Sequence, residues 1–392
     1  MNAAWKKNER NTGMILISNG GENAHRVASP GGSMAIGTVD GVFLLESKSA
    51  QNWFLRGRAL EGIFVSGLTQ LEDGRLFAAT HGCGIARSDD AGRSWRFVNN
   101  GITQFDAWAI RSGRLRGEEV LIAGTMPAAL FISRDGGESW SELTALREVP
   151  DAHRWFFPPP PHQGHVKEIV IQGDRLYVGI EVGALLVSED GGGSFRALPV
   201  DPDPAEVDMH RIAVHPDRPG RIIVSNGLVG MMESHDDGAT WQRNAFAAEL
   251  DYPEPMVAHP DQPDLIFVGG AVGWPPHWYR LGRARGRIAR STNGGKSWTT
   301  LLGGLPNGQR AMWGGLTLEA WTDGYALYAA DTDGQVFASR DGGETWCMIA
   351  EVAPVSKGDF YRGLAKGRPR IANVDDMMFF DAAKDRMGKV EV

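Results

Sequence analysis

The ten histidines of this chain are unevenly spread. His153, His162 and His165 lie within or just after a long aromatic stretch at 144–164, and His277 sits in a second one at 271–286. His81 and His210 fall where one strand gives way to the next. Histidines converging with a carboxylate suit a divalent transition metal, zinc or manganese, because imidazole nitrogen and carboxylate oxygen are ligands for such ions. A histidine beside a tyrosine or arginine suits proton abstraction next to a stabilised anion. On this ground His165, His210, Arg211, Tyr361 and Arg362 form the expected catalytic set, with His165 and His210 as metal ligands. His81, Glu181, Asn226, Trp155, His277, Trp278 and Trp313 form the expected substrate wall. The bland reading for any one histidine is a polar residue bound to water. No His-Glu-x-x-His spacing fixes a metal. His215 and His259 precede Pro-Asp and read as turn residues.

A repeat must position these groups. Ser339, Asp341, Gly343, Thr345 and Trp346 set the pattern Ser-x-Asp-x-Gly-x-Ser/Thr-aromatic, found six times. Asp90, Asp135, Asp190, Asp236 and Asn293 hold the third place in the other copies. Asp is expected to close a turn by accepting backbone N–H groups one or two residues on. Gly takes a positive φ, the hydroxyl satisfies a further backbone group, and the aromatic starts the next strand. A row of metal-binding or catalytic carboxylates is the weaker reading, since Asn293 keeps the turn without the charge. A seventh, decayed copy precedes Trp53, where 48–52 has lost the Asp and Gly. Successive boxes lie 45, 55, 46, 57 and 48 residues apart, one four-stranded propeller blade per period.

The octapeptide resembles the Asp-box, or BNR repeat, of sialidases and related bacterial β-propellers, and the resemblance covers 32–365. It implies that each box joins the third and fourth strands of a blade on the face away from the ligand site. The expected fold is therefore all-β: a seven-bladed propeller of four-stranded antiparallel blades with Asp-box turns. Inner strands are expected at 67–71, 107–110, 166–171, 210–215, 255–259 and 313–318. Residues 1–31 read as an N-terminal extension, 32–366 as a single propeller, and 367–392 as a tail. Blade one lacks an obvious inner strand, and 360–365 is expected to complete it and close the ring, which removes free sheet edges. The starts of inner strands converge on the central channel. Both long insertions should lie on the face opposite the Asp-boxes, where binding function usually resides. True sialidases grip a carboxylate with an Arg in a Phe/Tyr-Arg-Ile-Pro motif. His25–Arg26–Val27–Ala28 lacks the aromatic and the Pro, and sialidase propellers have six blades, so sialidase activity is not expected.

Composition narrows the choices. Lys and Arg number 40 against 48 Asp and Glu, a net charge of −8, which argues against nucleic acid and anionic membranes. Gly is abundant at 51 residues, as many tight turns require. Cys83 and Cys347 make no disulfide framework, and a reducing, cytoplasmic setting is expected. The apolar run 14–17 is too short for a signal peptide. No nucleotide-cofactor motif is visible. The expected activity is a hydrolase or lyase for a small anionic substrate, with a His-containing site at the channel mouth that takes one divalent transition metal. Homo-oligomerisation is left open. The alternative is a non-catalytic binding or assembly propeller, resembling the photosystem assembly factors and sorting receptors that share the Asp-box.

Overall fold

The computed structural model describes residues 13–49, 52–159, 161–244 and 250–355. They form a seven-bladed β-propeller. Blades two to six are four-stranded and antiparallel, each meandering outward from the axis. Their inner strands are Val65–Gln70, Asp106–Leu115, His165–Gln172, Met209–Val214 and Tyr252–His259, and Trp313–Trp321 holds that place in blade seven. Seven apolar clusters lie one in each seam between neighbouring blades. Successive residues of a strand face opposite seams, so central strands buried on both sides carry near-continuous apolar runs, such as Leu121–Ile122–Ala123.

The Asp-box works by longer reach than one or two residues. Asp341 Oδ1 accepts the N–H of Thr345, four places on, at 2.9 Å, and Oδ2 accepts the Thr345 hydroxyl at 2.5 Å. Ser339 donates its hydroxyl to Asp341 and accepts the N–H of Gly343, each at 2.9 Å. Gly343 sits at φ +89°, which a Cβ resists. Bonds of this kind hold Asp90 and Asp135 down to about 2, chiefly through Ser94 and Ser139. Thr240 does the same for Asp236, and Asp190 is likewise lowered, by Ser194. Burial pushes Asp341 up, but the Thr345 bonds outweigh it. A carboxyl with a native pKa below its unfolded value of about 3.9 stabilises the fold above that value. The contribution disappears as pH falls through the native pKa. The urea midpoint should therefore drop between about pH 4 and about pH 2. Paired Asp90→Asn and Asp135→Asn changes should flatten that drop, and an unaltered pH slope in the variant would count against this account.

Ring closure differs from expectation. The inner position of blade one is taken by Ile15–Ile17, which pairs in parallel with Ser33–Thr38. Residues 360–365, expected there, lie outside the described residues. Ala24–Arg26 adds a fifth, parallel strand inside blade seven, beside Trp313–Trp321. The segment expected to be an extension thus supplies two strands of the ring.

Between those strands, residues 18–23 run through the centre of the propeller. Gly20 N–H donates to Ser66 O and Glu22 N–H to Leu68 O in blade two, while Ile110 N–H of blade three donates to Gly20 O. Asn23 Nδ2 donates to Met256 O of blade six at 2.8 Å, and Leu318 N–H of blade seven donates to Asn23 O. The approach is close: a Cβ on Gly20 would lie 2.0 Å from Trp108 O, and one on Gly21 2.2 Å from Leu68 O. The two glycines are what let the backbone pass.

Candidate functional site

Charged groups on three inner strands turn toward this central segment. Lys167 Nζ donates to Asn19 Oδ1 and lies 3.2 Å from Glu254 Oε1. Asn19 Nδ2 also donates to Glu254 Oε1, at 2.9 Å. Arg211 donates to Gly21 O at 3.2 Å and pairs with Glu168, which also binds Arg111. Arg211, an expected catalytic residue, therefore faces the central segment rather than the histidines. The ladder is irregular here: Met209 pairs with Asn226 and Arg211 with Ser225, so His210 is an extra, bulged residue, and such a bulge re-aims the side chains around it.

The histidines do converge. His165 opens the inner strand of blade four and stands in register with Glu181, at the end of the second strand. Its Nε2 lies 3.4 Å from Glu181 Oε2. His210 Nε2, in blade five, lies 3.9 Å from Glu181 Oε1 and 3.4 Å from Asp208 Oδ1. His210 Nδ1 meets Pro253 O at 2.7 Å, and a carbonyl only accepts, so Nδ1 carries the proton. All four side chains are buried. Asp208 was missed in the sequence, yet its spacing two before His210 places both on one side of an extended segment.

Aromatic rings enclose the cluster from both insertions. Phe157, from the first, meets the His165 ring edge-on at 4.7 Å, and Trp108 lies 3.7 Å from it on another side. Trp278, from the helix Pro275–Leu281 of the second, meets Tyr252 edge-on at 5.1 Å, and Tyr252 lies 4.8 Å from His210. Phe156 and Val182 exchange backbone hydrogen bonds, which fastens the first insertion over blade four.

The remaining expected residues take other places. His81 pairs with Asp106 at 2.6 Å, beside Phe64 and Trp108. Burial pushes the Asp106 carboxyl up, but the His81 bond and charge leave it lowered. Asn226 fastens its own turn, accepting the N–H groups of Leu228 and Val229 and donating to Glu206 O. Trp313 is buried in the seam between blades six and seven against Phe337. Trp155 is half-buried over Gly183, and His277 over Trp274. Tyr361 and Arg362 lie outside the described residues. The concavity lined by Gln262, Asp264, Arg290 and Tyr325 opens on the Asp-box face, away from His165 and His210.

The BNR/Asp-box repeat family model matches residues 131–142, the box of blade three. The chain is a seven-bladed β-propeller that carries Asp-box repeats. Among curated proteins this propeller is 23% identical to the photosystem II assembly lipoprotein Ycf48 of Synechococcus sp. (strain CC9902), over 67% of this chain and 68% of that protein. It is 24% identical to the oligoxyloglucan-reducing end-specific xyloglucanase of Emericella nidulans, over 52% of this chain but only 30% of the enzyme. Among solved structures, a GH74 enzyme of Niastella koreensis superposes with a TM-score of 0.60 at 15% identity, covering 88% of this chain and 55% of that one. Ycf48 bound to D1 peptide superposes with a TM-score of 0.51 at 12% identity, covering 82% and 91%. At these identities the structural likeness speaks for the fold.

Proposed function

We propose that this propeller works by binding: its insertion face receives an extended segment of a partner protein. The observation that carries the reading is the occupied centre. Residues 18–23 occupy the axis of the ring, and Lys167, Arg211, Glu168 and Glu254 are committed to that segment and to one another. The insertion face instead offers half-buried Trp155, Phe156, Pro158 and Trp274 beside exposed Leu281. Such a surface suits apolar side chains of an extended peptide. The assembly role named for the Ycf48 relative, and the solved structure of a Ycf48 bound to a peptide, support the same reading.

A hydrolase or lyase is the second reading, supported by the grouping of His165, Glu181, Asp208 and His210 and by the xyloglucanase relative. Tiled peptide arrays, followed by fluorescence anisotropy on the peptides that bind, separate the two. Trp155→Ala should weaken such a complex about tenfold, the size of a modest interface hot spot. Met348→Ala, on the outer strand of blade seven, should leave it unchanged. Turnover of a xyloglucan oligosaccharide or a small anionic ester that vanishes in His165→Ala would overturn the binding reading.

A further inference from the structure

We infer that Glu181, Asp208 and His210 form a site for one divalent transition metal, with His165 positioning the Glu181 carboxylate. The site stands independently of whether the protein binds a partner or turns over a substrate. It joins blade four, through Glu181, to blade five, through Asp208 and His210.

One atom of each of these three side chains can be chosen so that all lie within 4.8 Å of one another. Pro253 O obliges Nδ1 of His210 to donate, which fixes the tautomer of the neutral ring. In the neutral ring Nε2 then turns a lone pair toward Asp208 Oδ1 and Glu181 Oε1. Two carboxylates facing a lone pair in a buried site repel it unless positive charge lies between them.

The distances say which positive charge fits. A charge-assisted N–H···O bond would draw the heavy atoms to about 2.7–2.9 Å. The observed separations are 3.4 Å and 3.9 Å. Zinc held tetrahedrally with bonds of about 2.0–2.2 Å separates neighbouring ligand atoms by about 3.4 Å, which the His210–Asp208 pair matches and the His210–Glu181 pair exceeds, so Glu181 closes in on loading. The Nδ1–H to backbone-carbonyl bond is also the usual arrangement behind a metal-bound histidine, because it orients the ring and raises its basicity. Asp208 Oδ1 is buried and, among the described residues, accepts no hydrogen bond. Gly227 completes the arrangement. A Cβ there would lie 2.1 Å from Asp208 Oδ2 and 2.7 Å from His210 Cε1, so a side chain at 227 would displace both ligands. His165 falls outside the three-residue group, although the sequence suggested it as a ligand. Its Nε2 lies 3.4 Å from the other Glu181 oxygen, a contact without hydrogen-bond geometry through which it biases how that carboxylate turns.

The full-length chain, stripped with chelator and dialysed against zinc chloride or manganese chloride, provides the test. Metal content by inductively coupled plasma mass spectrometry should reach about one ion per chain, as a single three-ligand site requires. Tm should rise on reloading, because a ligand bound only by the folded state stabilises it. Asp208→Asn and His210→Gln should lose the ion while keeping the near-UV circular dichroism of the stripped wild type. His165→Gln should still bind one ion, with affinity lower by about 10–100-fold, as outer-shell changes do. Cobalt(II) in the wild-type chain gives a reading that needs no variant: visible absorption bands of a low-coordinate site. Failure of the wild type to take up zinc, manganese or cobalt, or full metal content in both ligand variants, overturns the site.

Discussion

A chain beginning at residue 28 is expected not to fold. Ile15, Leu16 and Ile17 are almost wholly buried and belong to the clusters that join blade one to its neighbours. Truncating one such side chain to alanine costs about 2–5 kcal/mol, against a typical total of about 5–15 kcal/mol. Losing all three comes to about 6–15 kcal/mol on that scale, as large as the whole typical total before the central segment is counted. It also strips Lys167 and Arg211 of partners at Asn19 and Gly21, and exposed strand edges at Ser33–Thr38 and Trp313–Trp321 would invite association. Circular dichroism and size-exclusion chromatography should show an aggregated or non-cooperative product. A soluble ring with a sharp melt would refute the structural role of the segment. As a graded form of the same test, Ile17→Ala should lower stability by about 2–5 kcal/mol, and a loss well under that range would argue against tight packing there.

Lys167→Met should cost about 3–5 kcal/mol, the usual penalty for removing one partner of a buried ion pair. Lys167 and Glu254 are both almost fully buried, and the lysine ties Glu254 to Asn19. The change leaves the Glu254 carboxylate at the centre of the ring without its lysine. Lys167→Met combined with Glu254→Gln should recover much of the loss, since replacing both charges by neutral groups removes the desolvation problem rather than exposing it. Urea unfolding of the two single variants and the double variant closes a double-mutant cycle. Additive losses across the cycle would mean that Lys167 does not act through Glu254. A loss of partner binding with unchanged stability would move Lys167 from a structural to a functional role.

Six near-identical turns make the fold legible in the sequence. Each box is solved within eight residues: Asp341 reaches Thr345, and Ser339 reaches Gly343. The inner strands fell within a few residues of their expected places for the same reason, because turn positions bracket them. That His165, Glu181 and His210 come near one another was legible in outline. His165, Glu181 and His210 sit at strand ends that any propeller gathers on one face. Asp208 was within reach of the same reasoning through its two-residue spacing from His210. Arg211 was misjudged because the bulge at His210, which re-aims the side chains there, has no mark in the sequence.

The sequence by itself determined the repeat, the blade count and the face that carries the insertions, because hydrogen bonds between residues two to four apart carry that information. Only the tertiary structure decided what occupies the axis. Lys167 meets Asn19 across 148 positions, and Thr317 donates to Leu16 O across 301. Such contacts depend on how seven blades, each with its own seam, rotate about a common centre. No local pattern in residues 15–26 announces that they end there. Their burial and their two glycines acquire meaning only once the ring has closed around them.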